Sequence, residues 1–163
     1  MCLSKMTGTN LPNDEFPPLG RLAGIDFGTV RIGVAVTDPD RRLASPYEIY
    51  QRRGPAADAE YFQRLVREER IAGFVVGLPV HASGEESQKS AEARAFGDWL
   101  RTLTGRPVQY YDERYTSVLA EQFLLEAKMT SKRRKARLDK VAAQLILAAY
   151  LESSHRGRPG ALS

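Results

Sequence analysis

Acidic side chains stand at three places in the sequence where they could hold a divalent cation. Asp26 ends an apolar run at a glycine-containing turn, so its carboxylate should project from the edge of a sheet. Asp112 and Glu113 follow another apolar run, and because side chains alternate along an extended chain, at most one of them should point towards Asp26. The pattern alone does not choose between these two. Asp139 lies in the first turn of the last predicted helix.

Each of these positions also has an ordinary structural explanation. Asp26 could accept hydrogen bonds from its own turn, and Asp139 could favour the helix macrodipole or pair with Arg137 or Lys140. The convergence of carboxylates from two strand ends and one helix start is what indicates a hard oxygen site. Mg²⁺ and Mn²⁺ prefer such ligands, so the sequence predicts a site for one of these ions.

The sequence gives little indication of cysteine or histidine ligands for a metal ion. Cys2 is the single cysteine of the chain, so the chain can form neither an internal disulfide nor a cysteine-based zinc cluster. His81 falls in a polar loop and His155 in the C-terminal tail, and neither has a partner at ligand spacing.

Cationic and hydroxyl side chains near the acidic positions could hold a phosphate. Arg31 and Arg114 stand close in sequence to the predicted ligands, where a guanidinium group can make bidentate contacts. Thr29 and Thr116 offer hydroxyl groups, although turn or capping roles would explain them equally well.

A dense basic stretch precedes the last predicted helix. Its members are Lys132, Arg133, Arg134, Lys135, Arg137 and Lys140. Such a stretch is either a solvated loop with excess charge or a contact for a phosphate backbone. The net charge of +4 and the pI of about 9.3 permit a polyanionic partner without requiring one.

The apolar runs predict one domain built around a mixed sheet, since 163 residues suffice for one sizeable core. Three strands should form a β-meander, and two later strands, each preceded by a helix, should join parallel to the first by right-handed crossovers. Helices should then cover both faces of this five-stranded α/β sheet. The predicted strands are Leu22–Asp26, Ile32–Thr37, Arg41–Ala44, Gly73–Leu78 and Pro107–Asp112.

The predicted helices cover residues 58–70, 87–103, 116–127 and 138–149. Polar ends containing proline and glycine predict disordered tails at residues 1–20 and 153–163, around a domain of residues 21–152. No apolar run approaches the roughly 20 residues needed to span a bilayer. The N-terminal stretch also lacks the features of a secretory signal, so a cytoplasmic protein is expected.

Four stretches of the sequence, taken in order, resemble the YqgF, or RuvX-like, family. They read GIDFGTVRIGVA at residues 24–35, VVGLP at 75–79, DERYTS at 112–117 and LDKVAA at 138–143. The resemblance covers nearly everything outside the predicted tails. It implies a ribonuclease H-like fold, and a bacterial cytoplasmic nuclease that matures the 5′ end of the small-subunit (16S) ribosomal RNA precursor.

The resemblance also implies the site residues. Mapped by position, the acidic residues of the family fall on Asp26, Glu113 and Asp139, which favours Glu113 over Asp112. These carboxylates would hold two Mg²⁺ ions, one to activate water and the other to stabilise the leaving oxygen. The chain departs from the family at Val30, where a lysine or another polar residue is common, and in the loop over residues 81–88.

RNA is the expected partner, favoured over branched DNA, with the chain acting as a monomer or weak dimer. A Holliday-junction resolvase would use the same fold and metal chemistry as a dimer on four-way DNA, and a catalytically idle RNA-binding module is a further alternative. An actin-like or sugar-kinase ATPase needs two such domains, and the chain has room for one. Tyr110, Tyr111 and Tyr115 could stack on unpaired bases or pack in the core.

Overall fold

A mixed β-sheet forms the centre of the fold. The computed structural model describes residues 15–79, 87–113, 131–156 and 161–162, and for 131–140, 155–156 and 161–162 it describes the backbone alone. The strands are β1 (Arg21–Asp26), β2 (Arg31–Thr37), β3 (Ala44–Gln51), β4 (Ile71–Leu78), β5 (Val108–Asp112) and β6 (Ala161–Leu162). Their order across the sheet is β3-β2-β1-β4-β5-β6.

The strand pairing confirms the predicted meander and the two parallel strands. β1 pairs with β2, and β2 with β3, in antiparallel fashion, whereas β4 lies parallel to β1 and β5 parallel to β4. The two-residue β6 pairs antiparallel with β5, so the sheet has one strand more than the five that were predicted.

The third strand differs from its prediction, which placed it at Arg41–Ala44. These residues mostly belong to a turn that precedes β3. In this turn the Asp38 carboxylate accepts hydrogen bonds from the amides of Arg42 and Leu43, both at 2.8 Å. Arg41 adopts a left-handed φ of 56°, which a strand does not allow. The strand therefore starts at Ala44, the residue at which the predicted strand ends.

Helices cover both faces of the sheet, as predicted. The described helices are α1 (Pro55–Glu69), α2 (Gln88–Thr104) and α3 (Ser131–Arg156). The core under α1 and α2 includes Ile25, Val34, Phe62, Phe74, Val76, Phe96 and Leu100. The core under α3 includes Leu22, Ala35, Val75, Tyr111, Ile146 and Leu147. Within the described part of the chain, no helix is long and apolar enough to cross a membrane.

Helix α3 is longer than predicted at both ends. It begins at Ser131, so the basic stretch is helical and is not a loop, and Asp139 follows the helix start by eight residues. The placement of Asp139 in the first turn was therefore wrong, and the macrodipole explanation fails with it, because that effect is confined to the terminal turn. Lys, Arg and Ala are strong helix formers, which accounts for the early start. The helix ends at Arg156, beyond its predicted end at Ala149 and beyond the predicted domain boundary at Glu152.

Part of the predicted N-terminal tail packs against the domain. The Phe16 ring lies over Gly73 and makes an edge contact with the Tyr150 ring, with centroids 5.7 Å apart. Arg41 Nε donates a hydrogen bond of 2.6 Å to the Gly20 carbonyl. The prediction of disorder was wrong for residues 15–20, whereas residues 1–14 and the helix predicted over 116–127 lie outside the described residues.

Candidate functional site

Glycines in the strands let helix α3 approach the sheet closely. A Cβ atom at Gly24 in β1 would lie 2.8 Å from the Cβ atom of Leu147. One at Gly77 in β4 would lie 2.6 Å from Cδ1 of Ile146. The carbonyl oxygen of Ala143 would also lie 2.9 Å from a Cβ atom at Gly24, so a side chain there would push α3 away from the sheet. A side chain at Gly77 would displace the end of the Ile146 side chain. The glycines thus let α3 and its side chains pack directly on β1 and β4.

Asp26 and Glu113 lie on the α3 face of the sheet, each next to a strand glycine. A Cβ atom at Gly33, which pairs with Asp26, would be 3.4 Å from the Asp26 Cβ atom. A Cβ atom at Gly77 would be 2.5 Å from Oε1 of Glu113. Because β1 and β4 are adjacent parallel strands and β5 follows β4, the two carboxylates reach the same edge of the sheet from two strand ends.

The surroundings of Glu113 disfavour its charged form. Burial raises the pKa of Glu113 to about 7, and the negative charges of Asp26 and Asp112 act in the same direction. A carboxyl group shifts in this way when it is buried beside other carboxylates. A divalent cation would favour the ionised form of all three groups, so the chemistry of this donor set fits a bound Mg²⁺ or Mn²⁺ ion.

Asp112 faces the opposite side of the sheet. Side chains alternate along β5: Tyr110 packs in the core under α1 and α2, and Tyr111 in the core under α3. Asp112 has the same parity as Tyr110 and is 1% exposed. Of the two neighbouring acidic residues, Glu113 is therefore the one that shares a face with Asp26.

For Asp139, the third predicted ligand, the structure describes the backbone alone. This residue lies in α3 four positions before Ala143. The Ala143 side chain contacts the α3 face of β2, since a Cβ atom added at Gly33 would lie 3.6 Å from the Cβ atom of Ala143. Among the residues with described side chains, no three of the types His, Cys, Asp and Glu form a group that could hold a metal ion.

An open groove of about 360 Å³ runs beside Asp26. It is lined by Asp26, Gly28, Thr29, Val30, Arg31, Gly33 and Ile49. Arg31 and Thr29, both predicted to contact phosphate, thus lie exposed next to the Asp26 carboxylate. A Cβ atom at Gly28 would overlap the Arg31 carbonyl oxygen, so the tight turn between β1 and β2 requires glycine there.

The other predicted phosphate contacts lie where side chains are not described. Lys132, Arg133 and Arg134 are in the first turn of α3, and their backbone alone is described. Arg114 and Thr116 lie outside the described residues.

Two tyrosines near the site, Tyr110 and Tyr111, pack in the core and do not line the groove. Tyr110 is 3% and Tyr111 2% exposed. The Tyr110 hydroxyl donates a 2.7 Å hydrogen bond to Asp98, which anchors β5 to α2. The core interpretation is therefore confirmed for these two residues, and Tyr115 lies outside the described part of the chain.

A larger cleft on the α1 and α2 side was missed by the sequence analysis. Its volume is about 570 Å³. It is lined by Phe27, Thr29, Arg52, Pro55, Asp58, Glu92, Ala95, Phe96 and Trp99. Helical spacing would bury Phe96 and Trp99 together, but Phe96 is buried whereas Trp99 remains partly exposed at the cleft. The pattern within α2 contains no signal for this exposure.

Comparison with known proteins identifies the family. The sequence profile described as "RuvX: Holliday junction resolvase" matches residues 20–153 of the chain. The chain belongs to the RuvX family. This membership confirms the resemblance that the four sequence stretches indicated.

Relatives within the family are similar over most of their length. A protein from Rhodopirellula baltica is 50% identical over 147 residues, which cover 90% of this chain and 85% of the relative. One from Rhodobacter capsulatus is 43% identical over 143 residues, which cover 87% of this chain and 90% of the relative. Both relatives are named "putative pre-16S rRNA nuclease".

Solved structures confirm the predicted fold. Thermus thermophilus RuvC in complex with a Holliday junction substrate superposes with a TM-score of 0.57, over 88% of this chain and 99% of RuvC. A second structure of Thermus thermophilus RuvC gives a TM-score of 0.52. At 17% identity, this similarity shows that the RuvX-family chain shares the ribonuclease H-like fold of RuvC.

Proposed function

We propose that this chain is a metal-dependent nuclease that hydrolyses phosphodiester bonds in RNA. Its substrate would be the precursor of 16S rRNA, cut at the 5′ end during ribosome biogenesis in the cytoplasm. The observation that carries the proposal is the pair of carboxylates, Asp26 and Glu113, on the α3 face of the sheet, with Asp26 lining an open groove. The names of the relatives and of the family support it, since both refer to enzymes that act on nucleic acids.

The metal ligands would be Asp26, Glu113 and Asp139. Residues four apart share a face of a helix, so Asp139 lies on the same stripe of α3 as Ala143, one turn earlier. Ala143 contacts the region of Gly33, the residue that pairs with Asp26. A bound Mg²⁺ or Mn²⁺ ion would activate water for in-line attack and stabilise the leaving oxygen.

Residues of the groove would hold the substrate phosphate beside these carboxylates. Arg31 can contact two phosphate oxygens through its guanidinium group, and Thr29 can donate a hydrogen bond from its hydroxyl. With a pKa near 7, Glu113 would hold a proton in the metal-free protein and release it as it becomes a ligand.

The basic residues would hold the rest of the strand. Arg114 and Thr116 would contact phosphates next to the reacting one. Lys132, Arg133 and Arg134 would contact the backbone further along. Contacts of this kind supply affinity and orientation but do not read the sequence.

Cleavage of a precursor transcript with extra 5′ sequence tests the proposal. With Mg²⁺ or Mn²⁺ present, the wild-type protein should cleave the transcript, and Asp26→Asn should lower the rate by at least about a hundredfold. Asp40→Asn is the matched control, since Asp40 is an exposed aspartate outside the groove. Unchanged cleavage by Asp26→Asn would contradict the metal site.

A Holliday-junction resolvase is the second candidate, and the description of the family favours it. The same assay with a synthetic four-way DNA junction separates the two, because cleavage of the junction alone would replace the RNA assignment. The oligomeric state of the protein, measured by analytical ultracentrifugation, gives a second criterion for choosing between the two functions. A resolvase acts as a dimer, whereas the proposed RNA nuclease is expected to be a monomer or weak dimer.

A further inference from the structure

The cleft on the α1 and α2 side has an aromatic wall, and we refer to it as the aromatic cleft. The ring centroids of Phe27 and Phe96 are 4.9 Å apart, and those of Phe96 and Trp99 are 5.4 Å apart. Phe96 is 6% exposed, whereas Phe27 and Trp99 remain partly open to solvent. The rings therefore present a continuous apolar surface, at the mouth of a space of about 570 Å³.

The aromatic cleft is continuous with the groove beside Asp26. Thr29 lines both spaces, and Phe27 follows Asp26 directly in the turn after β1. A strand with a phosphate beside Asp26 would therefore have a neighbouring nucleotide at the entrance of the aromatic cleft.

The polar groups of the aromatic cleft suit a nitrogen-rich ring better than a phosphate. Arg52 is held in place: its Nε donates a 3.1 Å hydrogen bond to Asp58, and its guanidinium carbon lies 5.4 Å from the Phe27 ring centroid. Glu92 lies at the wall with a carboxylate that accepts a 3.3 Å hydrogen bond from Gln88. A carboxylate repels phosphate but accepts hydrogen bonds from the amino groups of bases.

We propose that the aromatic cleft binds an unpaired nucleobase that carries an exocyclic amino group, next to the phosphate held beside Asp26. The inference rests on the proposed function, because it takes the substrate to be a nucleic acid. The base would stack on Trp99 and Phe27 and donate a hydrogen bond to Glu92. The chain would then select strands with an unpaired nucleotide beside the cleavage position, since a paired base cannot enter the cleft.

Trp99 is the single tryptophan of the chain, so its fluorescence reports directly on the aromatic cleft. The wild-type protein without divalent cation is titrated with short single-stranded RNA oligonucleotides and with a fully paired RNA duplex. Single strands of adenine or cytosine nucleotides should quench the fluorescence of Trp99, and a strand of uracil nucleotides should quench it less. The duplex should leave the fluorescence unchanged. No quenching by any single strand, or equal quenching by the duplex, would overturn the inference.

Variants test the two contacts separately, with binding followed through a fluorescent label on the RNA. Trp99→Leu should weaken binding roughly tenfold, and Trp99→Phe should restore it, because stacking needs a ring. Glu92→Gln should reduce the preference for adenine over uracil. Glu60→Gln is its matched control, since it removes the same charge from an exposed position of α1 outside the cleft.

An abasic nucleotide moved along a cleavable strand tests the position of the base with the unaltered protein. At one position close to the cleavage point it should lower kcat/KM roughly tenfold, and elsewhere it should have little effect. Cleavage without any such position would overturn the base site and leave the nuclease proposal standing. If single strands quench the Trp99 fluorescence but no strand is cleaved, the base site stands and the nuclease proposal is overturned.

Discussion

At the scale of single residues, Glu113 combines the geometry and the electrostatics of the candidate site. Its side chain occupies the space above Gly77, and its pKa of about 7 reflects burial beside two other carboxylates. Between the usual pKa of 4.5 and 7, the folded protein binds a proton at Glu113 that the unfolded chain does not bind. This group therefore makes the metal-free protein less stable as the pH rises through that interval.

The pH dependence gives a test of this residue. Glu113→Gln should stabilise the metal-free protein by up to about 3 kcal/mol near pH 8, because a neutral amide replaces a disfavoured charge, and should have little effect near pH 4. Urea unfolding at both pH values measures the difference. Mg²⁺ should stabilise the wild type near pH 8 but not the variant. Equal stability of the two proteins near pH 8 would show that Glu113 is not buried among negative charges.

At the scale of elements, a glycine in β4 leaves room for the side chains of Glu113 and of Ile146 in α3. Gly77→Ala would place a Cβ atom 2.5 Å from Oε1 of Glu113 and 2.6 Å from Cδ1 of Ile146. The variant should lose about 1 kcal/mol of unfolding free energy and bind Mg²⁺ more weakly, because the ends of the Glu113 and Ile146 side chains must move. Gly33→Ala provides the comparison, since its nearest contact would be 3.4 Å, to the Cβ atom of Asp26. Urea unfolding and Mg²⁺ titration should show the smaller effect for Gly33→Ala, and the opposite order would contradict this account.

The connection between β3 and α1 depends on Asp58, which is 1% exposed. Its carboxylate accepts hydrogen bonds from the Tyr50 hydroxyl at 2.7 Å, the Arg53 amide at 3.0 Å and Arg52 Nε at 3.1 Å. Burial acts to raise the pKa of Asp58, but the hydrogen bonds from Tyr50, Arg53 and Arg52 together hold it below its usual value. The stability that Asp58 supplies is therefore complete above the pKa of the unfolded chain and is lost as the pH falls through the folded-state pKa.

Removal of this carboxylate should be costly at neutral pH. Asp58→Ala leaves buried donors without an acceptor and should lower the free energy of unfolding by about 3 kcal/mol. The difference from the wild type should shrink in acid, where the wild type loses the same interaction. Asp40→Ala, at an exposed position, should change stability little at either pH. Urea unfolding over a pH series makes the comparison, and a difference that does not depend on pH would contradict the role of the charge.

The elements also show why some features could be predicted from the sequence and others could not. β1, β4 and β5 are buried on both faces, so their apolar runs were recognised. β3 lies at the sheet edge with most side chains exposed and contains Pro46, so it lacks the alternation that predicts a strand. The charges at the start of α3 likewise obscured the apolar periodicity of that helix.

The same reasoning applies to the site. Asp26 at a strand end was apparent from local pattern. The side of the sheet on which Asp112 and Glu113 each lie depends on which of the two hydrophobic cores packs against each face of β5. That is a property of tertiary packing. The aromatic cleft forms only where Phe27 of the first turn meets α2, about seventy residues later in the chain, so no local pattern contains it.

At the scale of the whole molecule, the two faces of the sheet carry different chemistry. The carboxyl ends of β1, β4 and β5 lie at one edge, where open α/β sheets bind their ligands. On the α3 side of that edge are Asp26 and Glu113, and on the other side is the aromatic cleft. Thr29 joins the two sides. A single strand could thus place a phosphate on one side and a base on the other.

The start of α3 should provide the main electrostatic contact for such a strand. One triple variant replaces three basic residues there with alanine: Lys132, Arg133 and Arg134. Its matched control replaces three exposed arginines elsewhere: Arg64, Arg67 and Arg106. Both variants lower the net charge from +4 by three, to +1.

The salt dependence of RNA binding distinguishes a local contact from the effect of total charge. If the three side chains at the start of α3 each neutralise one phosphate, their loss should reduce the slope of log Kd against log salt by about 2, since each contact with a single strand contributes about 0.7. The control variant should keep the wild-type slope. Anisotropy of a labelled single-stranded RNA, measured without divalent cation over a series of salt concentrations, provides these slopes. Equal reductions in the two variants would mean that net charge alone attracts the RNA and that α3 makes no specific contact with its backbone.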